Sequence, residues 1–147
     1  MPLEGEYEPS PEAWVREQVE RYEATGGREA NTLRDTGLPI VIVSTRGAKS
    51  GKVRKLGLMR VEHDGVYAVV GSQGGAPTDP AWVFNLRAHP LVELQDGAEK
   101  HDYRAREVDG DERDVWWARA NATWPSYDDY QTRTDRRIPV FVLERIA

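Results

Sequence analysis

At 147 residues, 39% of them hydrophobic and five of them Trp, the chain has apolar area for one hydrophobic core and too little length for two, so residues 11–147 are expected to form a single domain. A net charge of −5 argues against a general nucleic-acid binder, which needs a broad basic face. With no Cys, disulfide frameworks, thiolate nucleophiles and sulfur-ligated metals are excluded, and any redox chemistry must come from a bound group.

Residues 1–10 are polar and proline-containing and read as a flexible tail. They carry no basic region followed by an apolar run, and no stretch approaches the ~18 apolar residues of a membrane span. A soluble, cytoplasmic protein is expected, with membrane contact limited to its periphery. Ser10 as N-cap and Pro11 at the first helical position open an amphipathic helix carrying Trp14, Val15, Val19 and Tyr22, which Gly26-Gly27 stops. From Leu38 the run LPIVIVST predicts a buried strand, followed by KLGLMRVEH and VYAVVG as two more, joined at Asp64-Gly65.

SQGGAPTDP is too rich in Gly and Pro for regular structure, and Asp79-Pro80 caps and starts the short helix AWVFNLRA. LVELQ and AEKHDYRAREV make a second hairpin around Asp96-Gly97. DERDVWWARANATW then reads as a helix ended by Pro125, SYDDYQTRT as a short helical piece, and IPVFVLERI as a terminal strand. About six strands in sequential hairpins, interrupted by short helices, predict a mainly β (α+β) fold whose antiparallel sheet curls into a small barrel.

Charge is segregated along this order. Between Thr36 and Val61 there is no Asp or Glu, while RGAKSGKVRK packs Arg46, Lys49, Lys52, Arg54 and Lys55 into one loop and the strand start after it. GAKSGKVR is not a nucleotide-binding P-loop: three residues rather than four separate Gly47 from Gly51, and Val53 stands where a magnesium-binding hydroxyl is needed. Phosphate binding by another geometry, through Lys49, Arg54, Ser50 and the Gly51 amide, stands beside the plain reading of a solvated loop. GSQGG offers exposed amides or only a turn. Trp82 reads as core, and Asn85 needs a partner if buried. His63, His89 and His101 lack metal-ligand spacing. Tyr127 and Tyr130 beside Trp124 either pack or wall a pocket.

The order T-x-G-x-KSGK-x-R, a short meander, VVGSQGGAPTDPAWVFNLRAHP and DYQTRTDRRIPVFVLER resembles the deazaflavin-dependent nitroreductase family over roughly Asp35 to Ile146. The resemblance implies an FMN-binding-like split β-barrel, the coenzyme F420, and hydride delivery to a small-molecule electron acceptor that is quinone-like, nitroaromatic or enone. It implies Lys49 and Arg54 on the coenzyme's phosphate with Ser50 and Gly51 nearby, Ser72, Gln73 and Gly74 along the ring, and Trp82 and Asn85 on the helix beside it. Tyr130, on the substrate side, and Ser72 are the catalytic candidates. Val53 and Gly57 replace frequent prolines of the family, and Met59 replaces an aromatic ring of some members. An FMN enzyme of the same fold and a coenzyme storage module are the competing readings, and related barrels often form homodimers.

Overall fold

The structure, a computed structural model, describes residues 3–33 and 36–146. Helix α1 spans Ala13–Thr25 and buries Val19 and Tyr22. Its N-cap is Glu12 rather than Ser10, whose hydroxyl instead accepts the Glu12 N–H at 3.2 Å and orders the approach to the helix. At the other end Gly26 turns left-handed at φ 61°, and the Gly27 N–H closes onto the Tyr22 carbonyl at 2.9 Å.

The strands are β1 (Ile40–Arg46), β2 (Val53–Met59), β3 (Val61–His63), β4 (Val66–Val70), β5 (Leu91–Asp96), β6 (Glu99–Val108) and β7 (Val140–Arg145). The remaining helices are α2 (Ala81–Ala88), α3 (Gly110–Thr123) and α4 (Ser126–Thr132), with a 3-10 turn at Gln73–Gly75. All strand pairs are antiparallel, in the order β2-β1-β5-β6-β7-β4-β3. The described residues form seven strands rather than six because KLGLMRVEH breaks at Arg60. β2 and β3 lie at opposite edges of the sheet yet only Arg60 separates them in the chain, so the sheet must curl until its edges meet. The edges are not bonded to each other, which makes this the expected split barrel.

Asp96 holds the seam: its Oδ2 accepts from Arg60 Nε at 2.8 Å and from the Tyr67 hydroxyl at 2.5 Å. Burial, and then this hydrogen bond, push the Tyr67 pKa well above the ordinary phenol value. The continuous apolar run of β1 follows from having both faces covered. Val41 and Val43 face the barrel interior with Trp82, Leu94 and Phe141, while Ile40 and Ile42 meet Val19 and Tyr22 of α1. On a third face α3 and α4 pack Trp116, Ala120 and Tyr127 against Ala68, Val140 and Val142.

Three local expectations need correction. Asp79 does not cap α2, whose N-cap is Pro80; its carboxylate serves two arginines instead. The second hairpin turns on Gly97-Ala98, since Asp96 already pairs with Glu99. The opening residues are not a free tail: Glu6 and Glu8 bond across Val53 at 2.8 and 2.9 Å, Tyr7 forms a parallel bridge with it, and Lys55 lies 5.1 Å from the Tyr7 ring. A long-range pairing outranked the polar composition there.

Arg106 ties β6 to α3 and β7, meeting both Glu112 oxygens at 2.7 and 2.8 Å and Glu144 at 3.1 Å. The Arg106 bond lowers the Glu112 pKa below its ordinary 4.5, so the pair's contribution is full above that value and is lost as pH falls through the lowered one. A carboxyl NMR titration should show Glu112 moving up to its ordinary value in Arg106→Gln, and no change would refute the pairing.

Candidate active site

A cleft of about 450 Å³ opens at the barrel mouth. Leu56, Gly57, Leu58 and Met59 of β2 line its floor, and Trp14, Val15 and Gln18 of α1 form one wall. Ser72, Gln73, Gly74, Trp82 and Tyr130 also line it, so five residues drawn from two separate sequence motifs meet in one place.

The Ser72–Gly75 loop is shaped by left-handed residues, Gln73 at φ 44°, Gly74 at 63° and Gly75 at 81°. Gly75 is also needed for contact, because a Cβ there would lie 2.7 Å from the Tyr130 carbonyl oxygen. That close approach sets the Ser72 loop beside α4. The loop is fastened by Arg136, which sequence reading missed. Arg136 donates to the carbonyls of Gly71 (3.1 Å), Ser72 (2.8 Å) and Ala76 (2.8 Å) and to Asp79 (2.6 Å). Ser72 is buried and its hydroxyl has no protein partner among the described residues.

On the α4 side, the Trp124 indole N–H donates to the Tyr130 hydroxyl oxygen at 3.3 Å. That bond occupies an acceptor position and leaves the Tyr130 O–H proton free to be given. Tyr127 stacks edge-on to Tyr130, with ring centroids 6.2 Å apart, and burial raises its pKa so that the phenol stays protonated. Trp82 serves both sequence readings, as it packs on Phe141 in the core and reaches the cleft.

The basic loop flanks the cleft rather than lining it. Asn85 finds the partners it needs, accepting the Ala48 N–H at 2.9 Å and donating to the Thr45 hydroxyl at 3.2 Å, so α2 hooks the loop in place. The Gly51 N–H is used inside the turn, on the Gly47 carbonyl at 3.0 Å, and the Ser50 hydroxyl accepts the Lys52 N–H at 3.1 Å. What the turn leaves outward is charge: Lys49 and Lys52 have no partner among the described residues. Lys55 is committed to Glu23 at 2.7 Å. Arg54 shares its strand face with Leu56 and Leu58, which line the cleft, and its guanidinium is 3.5 Å from Glu8. Val53 turns its N–H and C=O away from β1, onto Glu6 and Glu8, so Lys55, Gly57 and Met59 present theirs on the same side, beyond that pairing. A floor built on one edge strand whose outer backbone groups turn away from the sheet, next to unpaired cations, fits a long planar ligand with an anionic arm.

The sequence profile described as F420H(2)-dependent quinone reductase matches residues 14–145. The chain belongs to that family. The F420H(2)-dependent quinone reductase Rv1261c of Mycobacterium tuberculosis is 34% identical over 127 residues, covering 84% of this chain and 85% of that protein. A solved F420-H2 dependent reductase, FDR-A, is 53% identical with a TM-score of 0.69, covering 72% of this chain and 94% of its own. A structure described as a domain-swapped dimer is 50% identical with a TM-score of 0.71, covering 92% of this chain and all (100%) of its own. As a member of the quinone-reductase family the chain is thus an oxidoreductase whose coenzyme is F420. Among its described residues no helix is long and apolar enough to cross a membrane.

Proposed function

We propose that this chain reduces a quinone-type acceptor, with Lys49 and Arg54 gripping the coenzyme's phosphate and Tyr130 delivering the proton. The observation that carries the reading is the Tyr130 hydroxyl, which lines the cleft and has its oxygen, not its hydrogen, engaged by Trp124. The reduced deazaflavin, when bound, supplies a hydride, and converting a quinone to its hydroquinone then takes one proton. Tyr130 donates that proton to the acceptor oxygen and recovers one from solvent. Ser72, with its free hydroxyl, orients the ring or the acceptor carbonyl, and Gln73 and Gly74 lie along the ring through backbone groups. Asn85 acts through the loop it hooks, and Ser50 and Gly51 through the turn they close. Trp14, Val15 and Met59 supply the apolar wall an uncharged acceptor needs. A homodimer and a cytoplasmic location belong to the same reading, the first supported by the domain-swapped-dimer neighbour.

The test is anaerobic oxidation of bound F420H2 by a panel of quinones, followed by loss of coenzyme fluorescence. Turnover is expected, and Tyr130→Phe should lower kcat about a hundredfold with coenzyme affinity unchanged. If the wild type leaves bound F420H2 unoxidised, only storage remains; an unchanged rate in Tyr130→Phe would assign the proton to solvent.

A further inference from the structure

A second cavity, of about 300 Å³, lies where β6 enters α3 and the chain enters β7. Arg87, Arg113 and Arg137 line it with Glu107 and Asp109, against apolar Ile138 and Pro139, and none of these residues lines the reductase cleft. The charges are unequally satisfied. Arg87 is spoken for, meeting both Glu107 oxygens at 2.9 Å and Asp79 at 3.3 Å. Arg113 gives one Nη2 bond to the Ile138 carbonyl at 2.7 Å and lies 4.7 Å from the Trp117 ring, while its buried Nε has no partner. Arg137 is exposed and has no hydrogen-bond or ion-pair partner among the described residues. Burial first, then the charge of Arg137, lowers the Arg113 pKa from its ordinary value, with the Asp114 carboxylate opposing them only in part.

Two guanidinium groups line one cavity, Arg113 keeping donors beyond its single bond to Ile138, and together they match the recognition of an oxyanion, with Ile138 and Pro139 as an apolar backing. We propose that this cavity is an oxyanion site, taking the phosphate or carboxylate group of a small molecule between Arg113 and Arg137. The site is separate from the coenzyme's cationic loop in residues and in elements.

The experiment is calorimetric titration at low ionic strength with inorganic phosphate and, separately, succinate. It uses the full chain carrying Lys49→Ala and Arg54→Ala, so that the basic loop does not contribute. Binding of one probe at about millimolar affinity or better is expected, and which probe binds decides between phosphate and carboxylate. Arg137→Glu, an exposed change that leaves the fold intact, should then weaken binding about tenfold or more. Arg113→Lys, which keeps charge but loses the fork, should weaken it less. Absence of heat with both probes, or binding that survives Arg137→Glu, would overturn the proposal.

Discussion

Changing Lys49 and Arg54 together to alanine is expected to weaken F420 binding by about two to three orders of magnitude. Each hydrogen bond to a charged partner contributes about 1.5–3 kcal/mol, and about 1.4 kcal/mol is a factor of ten. Lys49 has nothing else to hold, so its charge is available in full to an anion. Arg54 must be shared with Glu8, but that contact is long at 3.5 Å and its side chains are 36% and 43% exposed. An exposed pair of this kind contributes about 0–1 kcal/mol, so the coenzyme's phosphate displaces it and the double variant keeps its fold. Fluorescence titration with oxidised coenzyme, set beside a thermal melt, checks both halves. Unchanged affinity in a folded variant would remove the phosphate grip from these residues and leave the family assignment standing.

The extent to which the chain announces this site follows from the range of the interactions that build it. β1 was legible because Ile40 to Val43 alternate between two apolar surroundings, and the first hairpin because Asp64 and Gly65 both take positive φ, 53° and 81°. Asn85 raised the right question, a half-buried amide wanting a partner, though not its answer in the Ala48 amide. Closure of the barrel was hidden because it depends on Arg60, Tyr67 and Asp96 meeting across 29 and 36 positions of sequence. The pairing of Tyr7 with Val53 was hidden for the same reason, and composition alone made a tail of it. Ser50 and Gly51 were correctly placed in the turn, but residue type does not tell whether a hydroxyl or an amide is spent internally.

Arg136→Ala is expected to cost the enzyme both stability and rate without touching the coenzyme's phosphate. Its partners lie 57 to 65 residues away in sequence, and it gathers three carbonyls and one carboxylate that have no better donor. Both members of the Arg136–Asp79 pair are largely shielded, at 15% and 17% exposure, so removing one leaves an under-compensated charge. Such a loss costs about 3–5 kcal/mol, and Asp79 keeps Arg87 at 3.3 Å, which places the effect near about 3 kcal/mol. For a domain of this size that is a fall in Tm of about 6–12 °C. The loop it releases holds Gln73 at φ 44°, a conformation a side chain adopts only when its surroundings impose it. Freed, Ser72 to Gly75 should relax, and Gly75 would leave its close seat against Tyr130. Turnover should therefore fall by about tenfold or more while coenzyme affinity, set chiefly by the cationic loop, falls less. Arg136→Lys should recover part of the Tm by restoring charge opposite Asp79, but little of the rate, because an ammonium cannot reach all three carbonyls. A loss of coenzyme affinity as large as the loss of kcat would show that the loop binds rather than positions, and an unshifted Tm would refute the fastening itself.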